Sequence, residues 1–203
     1  MLRVESRLAT PHSSGIPQAA ARVDAFVRPR LQATPIVGRD ALTEAKAVAK
    51  EWSAIAKRER RIMRRGPERK ALKVNRGVNA CIKERLEDML TMLGMDADYE
   101  VYACVKSDSD DKKMQGLMVV ERSPSCLFVE YLVTNPYNLC ANSVGAPRVK
   151  GVGTCLIEHA KELAQAEGCG SIQLQFAKVA KGFYERCGFT ILEQGRTAVL
   201  KIA

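Results

Sequence analysis

Near residue 99 the periodicity of the chain changes from helical to two, and that switch constrains the fold more than any other feature. Upstream, Leu42, Ala45, Ala49, Trp52, Ile55 and Ile62 recur at spacings of three, four or seven, the stripe of an amphipathic helix over about 40–65. Gly66-Pro67 interrupts it, and Pro67 suits the first turn of a second helix. Val78, Ile82, Leu86, Met89 and Leu93 line that helix, and Gly94 is its C-terminal cap. From there Tyr99, Val101, Ala103 and Val105 alternate with Glu100, Tyr102 and Cys104, as in a strand. The polar run 107–113 predicts a turn, with further strands over 114–121 and 127–134.

Past an irregular loop over 135–150, a helix covers 151–167, with Val152, Cys155, Leu156, Ala160 and Leu163 on one face and Gly168 ending it. Residues 171–176 alternate strictly. A short helix over about 179–187 carries the stripe Val179, Phe183 and Cys187 and stops at Gly188. Two last strands, about 189–193 and 197–202, are joined at Gln194-Gly195. Three consecutive strands predict an antiparallel meander, and strand–helix–strand around Gly151 predicts a parallel unit with a right-handed crossover. The expected fold is α/β (α+β), a mixed, mostly antiparallel sheet of about six strands flanked by about four helices.

Residues 1–38 differ from this. They hold Pro11, Pro17, Pro29 and Pro35 and five arginines against Glu5 and Asp24, without a sustained period. That composition predicts a disordered tail or an address for organelle import or secretion, and places the folded domain at 39–203. A chain of 203 residues suits one domain with extensions. No run reaches the ~18 apolar residues of a membrane helix. Seven cysteines without a C-x-x-C pair predict reduced thiols and a cytoplasmic setting, and with only two histidines no metal site is expected. A net charge of +9 favours an acidic partner.

The chemistry concentrates in PRVKGVGTCLIEHA, residues 147–160. An ATP loop needs a Lys-Ser or Lys-Thr pair after its second glycine, and none follows here. A dinucleotide loop needs a third glycine, where Leu156 stands. What remains is Arg148-x-x-Gly151-x-Gly153 opening a helix. The glycines admit close backbone approach, the first-turn N–H groups are unbonded, and the helix dipole favours an anion. Arg148 and Lys150 add positive charge. The pattern suits a pyrophosphate.

Together with Gly182-Phe183-Tyr184-Glu185-Arg186-Cys187-Gly188-Phe189, this motif resembles the paired signatures of the GNAT superfamily of acyl-CoA N-acyltransferases. The resemblance covers about 95–203 well and 40–94 loosely. It implies that acetyl-CoA is the co-substrate and that an amine attacks the thioester directly in a ternary complex. It further implies that Arg148, Val149, Lys150, Gly151, Val152, Gly153 and Thr154 hold the pyrophosphate. The pantetheine arm would lie along Leu132, Val133 and Thr134, and Tyr184 would protonate the leaving thiolate. The sequence departs from the family at three places. Tyr137 to Pro147 forms an insertion, Ala177 replaces a common asparagine, and the first strand has only 32–37 as a candidate, weakened by Pro35.

Glu130 is the candidate general base, since alternation puts it on one face with Leu132 and Thr134 in an otherwise apolar strand. An edge charge or ion pair is the equal alternative. His159, Cys155 and Cys187 fall on helix positions that suit packing. For the acceptor, nine cations between Lys57 and Lys73 against Glu59 and Glu68 border the site of the resembled fold. They suit an amine of a protein or peptide, or one linked to RNA. Two other classes stay open: an injected bacterial effector acetylating a host protein, and a nucleic-acid-binding module with this fold but no turnover.

Overall fold

Each period-two segment becomes a strand, and the apolar stripes of the helices cover the two faces of the resulting sheet. The computed structural model describes residues 30–37, 39–65, 84–92, 99–106, 113–139, 149–192 and 196–202. The strands are β1 (Leu31–Pro35), β2 (Tyr99–Lys106), β3 (Gly116–Ser123), β4 (Cys126–Thr134), β5 (Ser171–Gln175), β6 (Thr190–Leu192) and β7 (Thr197–Lys201). The helices are α1 (Arg39–Arg65), α2 (described over 84–92), α3 (Pro136–Leu139), α4 (Val152–Ala166) and α5 (Lys181–Arg186), the last preceded by a 3-10 turn, Lys178–Ala180. None of the described helices is long and apolar enough to cross a membrane.

The seven strands form one sheet in the order β1-β2-β3-β4-β5-β7-β6. Every pairing is antiparallel except β4 with β5, which α4 connects. The mixed, mostly antiparallel fold is therefore as expected, with one strand more. That strand is β1, which falls on the candidate at 32–37, within the segment placed ahead of the domain. Pro35, its last residue, is compatible because β1 is an edge strand and a missing N–H is tolerated there. The folded domain thus includes Leu31–Pro35; residues 1–29 lie outside the described residues, as do residues 140–147 of the Tyr137–Pro147 insertion and the Gln194-Gly195 turn.

Alternation divides the core in two. Tyr102, Cys104, Met118, Val120, Leu127 and Val129 face α4 and α5, where Leu156, Ile157 and Ala160 are fully buried. Val101, Ala103, Leu117, Val119 and Val133 face α1 and α2, packing on Ala45, Ala49, Trp52, Leu86 and Met89. Alternation changes phase once, in β4: Leu127 and Val129 face α4, yet Val133 faces α1 and α2. The register supplies the cause. Val119 pairs with Tyr131 and the next residue, Val120, pairs with Val129, so Glu130 is the extra residue of a β-bulge.

The axis of α4 is held at both ends. Arg122 of β3 pairs with Glu167 just past its C-terminus and with Glu100 of β2 at 2.6 Å. Tyr102 donates its hydroxyl to the same Glu100 carboxylate, also at 2.6 Å. The Arg122 guanidinium holds the Glu100 carboxyl below its ordinary value. At the other end Gly116 of β3 lies directly beneath Val152 and Leu156.

Candidate active site

β4 and β5 pair only from Cys126–Ser171 to Val129–Leu174. At the next residue of β4 the bulge begins, and the two strands part. Residues 130–134 of β4 consequently present the backbone groups of that edge to an open groove instead of to a strand. A cavity of about 380 Å³ fills the opening. Glu130, Leu132, Val133, Thr134, Gly153 and Tyr184 all line it, so six of the residues singled out in the sequence meet there. Val129, Tyr131, Arg85 of α2, Gln175, Phe176, Ala177, Val179, Ala180, Phe183 and Arg186 complete the wall.

The glycine loop stands at one end of this groove. Gly151 has φ 87, a left-handed conformation that side chains rarely adopt, and its carbonyl accepts the first helical bond of α4, from the Cys155 N–H at 2.8 Å. Helix geometry leaves the preceding first-turn N–H groups, those of Val152, Gly153 and Thr154, without intrahelical partners. The Val152 side chain is buried against β3, so only its backbone can face a ligand; Thr154 and Lys150 are exposed. Arg148 lies outside the described residues.

Approach to the loop is fixed by amides that the motif search passed over. Val149 N–H donates to Asn138 Oδ1 at 2.9 Å, and Asn138 Nδ2 reaches Gln115 Oε1 at 3.5 Å. The Gln115 carbonyl accepts the Asn135 N–H at 2.8 Å. This cluster closes both ends of the 135–150 loop onto β3, including the α3 turn, which was expected to be irregular. A buried glutamine beside Gly116 was the available signal; polar residues in a loop sequence do not otherwise announce a partner.

Gly153 turns out to have a second reason to lack a side chain. A Cβ there would lie 2.9 Å from Phe183 Cζ. The Phe183 ring occupies the space over the first turn of α4, which ties the two sequence motifs together physically. The expected stripe Val179–Phe183–Cys187 is corrected here. Val179 is 56% exposed at the cavity, Phe183 and Cys187 are partly buried, and the buried residue of α5 is Tyr184, at 6% exposure. The reason is the 3-10 turn: it advances three residues per turn and rotates Val179 off the α-helical stripe. The Tyr184 ring packs against Phe183 at 5.0 Å, Phe189 at 5.7 Å and Phe176 at 6.1 Å between centroids.

For Glu130 the expected alternation breaks at the bulge. The bulge cancels the alternation that put it on one face with Leu132. Leu132 packs with the α4 core, whereas the charges acting on Glu130 are Glu121 and, on α2, Arg85. Partial burial raises the Glu130 carboxyl above its ordinary value and Glu121 raises it further, while Arg85 pulls it down. A carboxyl raised in this way is suited to accepting a proton. The Arg85 guanidinium in turn lies over the Tyr131 ring, 5.9 Å from its centroid.

Residues 146–191 match the acetyltransferase (GNAT) domain family. That stretch contains both motifs and the helix, strand and turn between them. Over this stretch the chain matches the GNAT acetyltransferases, which marks it as an acyl-CoA N-acyltransferase with acetyl-CoA as acyl donor. Among solved structures, the PaiA N-acetyltransferase of Thermoplasma acidophilum in complex with coenzyme A superposes with a TM-score of 0.50 at 14% identity, over 85% of this chain and 98% of that one. A GNAT-family acetyltransferase of Staphylococcus aureus Mu50 gives 0.51 at 11% identity, over 86% and 100%. Nourseothricin acetyltransferase is 25% identical over 53% of this chain and 68% of its own, with a TM-score of 0.41. The likenesses to the Thermoplasma and Staphylococcus proteins show a shared fold over 85% and 86% of this chain, well beyond the matched segment. A search of curated protein sequences finds no match.

The open strand edge over 130–134 and Gly153 in the first turn of α4 both border the cavity, and apolar Val179 and Ala180 line it as well.

Proposed function

We propose that this enzyme acetylates an amine of a protein or peptide by direct attack on the thioester in a ternary complex. The observation that carries the reading is the single cavity in which Glu130 from the β4 bulge and Tyr184 from α5 face the open β4 edge. Acetyl-CoA supplies an activated acetyl thioester, and the protein supplies position and protons.

The first-turn N–H groups of α4, with Lys150 and Arg148, hold the diphosphate. Backbone groups of Leu132, Val133 and Thr134 pair with the arm and set the thioester beside the bulge. A backbone N–H of that edge, aimed at the thioester oxygen, would stabilise the charge that develops there. Glu130 accepts the ammonium proton of the acceptor, directly or through water, so that a neutral amine attacks. Tyr184 donates its hydroxyl proton to the departing sulfur. A thiol titrates near about 8.5, so its thiolate leaves without strong assistance and the proton adds a limited factor. A carboxylate at the acceptor end also attracts an ammonium group, which supports an amine over a neutral nucleophile.

The test is to incubate the full chain with acetyl-CoA and separate pools of peptides, proteins and RNA, then look by mass spectrometry for a gain of one acetyl group. Labelling of peptide or protein amines is expected. Labelling confined to RNA overturns the peptide assignment, and salt-sensitive nucleic-acid binding without turnover overturns transfer itself.

A further inference from the structure

The acceptor end of the cavity carries one cation that the transfer chemistry leaves unused. Arg85 projects from α2 into the cavity wall beside Glu130, while the other lining cation, Arg186, belongs to α5 at the donor side. Its guanidinium is held over the Tyr131 ring. That contact fixes its plane and leaves its N–H edges available. Among the described residues no carboxylate forms an ion pair with it. Asp88 and Glu130 act electrostatically on Tyr131, and Glu121 acts on Glu130. The acceptor end therefore presents a carboxylate and a guanidinium side by side. Such a pair matches a substrate with the opposite order: an ammonium group for Glu130 and an anion a few bonds away for Arg85. Bidentate N–H donors favour a planar carboxylate.

We propose that Arg85 determines acceptor specificity by binding a carboxylate next to the reacting amine, so that the enzyme selects amines flanked by aspartate or glutamate. This rests on the reading of the acceptor as a protein or peptide amine. It assigns that site a substrate subclass.

Matched peptides test it, each with a single amine flanked by Glu or by Gln, using the full chain and saturating acetyl-CoA. A hydrogen bond to a charged group is worth about tenfold or more, so kcat/KM should be at least about tenfold higher for the Glu peptide, with most of the difference in KM. Arg85→Gln should bring that ratio to about one, and Arg85→Glu should invert it in favour of Arg-flanked peptides. Arg85→Lys keeps the charge and should retain part of the preference, which separates recognition from support of the fold. Equal wild-type kcat/KM on Glu and Gln peptides overturns the Arg85 assignment and leaves peptide acetylation standing. If no peptide is acetylated and an aminoacyl-tRNA pool is, both fall, and Arg85 faces a phosphate.

Discussion

Gly116 of β3 and Val152 of α4 meet so closely that a Cβ on the glycine would lie 2.5 Å from Val152 Cγ1. The same Cβ would lie 3.0 Å from Leu156 Cδ1 and 3.2 Å from the Val133 carbonyl oxygen. A strand residue in no recognised motif thus sets the height of the first turn of α4 above the sheet. Gly116→Ala should cost about 1–3 kcal/mol of stability by overpacking. It should also weaken acetyl-CoA binding, because α4 can yield only by lifting its first turn. Adding Val152→Ala makes room for the new methyl group and should restore both. Thermal unfolding and calorimetric titration measure the two effects, and stability loss with unchanged affinity would separate the loop from its seat.

Glu130 should govern the acid limb of the pH profile. A base must be deprotonated, so kcat/KM should rise with pH through an ionisation above the ordinary carboxylate value of 4.5. Glu130→Gln should remove that limb and lower kcat by roughly 10²–10⁴-fold. The stability effect has the opposite sign. A carboxyl whose pKa is raised by folding favours the fold below its unfolded pKa and loses that contribution as pH rises through its folded value. The glutamine variant should therefore melt higher than wild type at neutral pH. A slower enzyme with an intact acid limb would move the base elsewhere.

Tyr184→Phe keeps a ring that Phe176, Phe183 and Phe189 already surround. Packing should survive, with at most about 1 kcal/mol lost with the hydroxyl. The expected result is a fall in kcat of up to roughly 10²–10⁴-fold, with the acetyl-CoA dissociation constant changed less than about threefold. Unchanged turnover with reduced stability would make Tyr184 a core aromatic only.

Truncation at residue 37 removes β1, whereas truncation at 29 leaves it. Leu31 and Ala33 pack on the α4 core and Ile36 on the α1 and α2 core. Losing them should cost roughly 2–4 kcal/mol, on the order of 5–15 °C in Tm beyond any effect of the shorter truncation. It also bares the edge of β2 and should promote association. Identical melting curves for the two truncations would show that β1 contributes nothing.

The periodicity of this chain determined most of its elements, because a helix and a strand each write their buried face into local spacing. The Arg148-x-x-Gly151-x-Gly153 pattern likewise announced a helix start, which Gly151 and α4 supply, since that needs only backbone freedom within a few residues. Three things were decided only when the chain closed on itself. β1 became a strand through pairing with β2, against the local argument from Pro35, because an edge position removes the demand for an N–H. Glu130 came to the cavity through a bulge, and a bulge is a mismatch of length between two strands that neither sequence carries alone. Arg85 reached the same cavity from α2, 45 residues earlier in the chain. Local spacing records which face of an element is buried; the neighbour that face meets, and the charge it meets there, depend on contacts across the whole sheet.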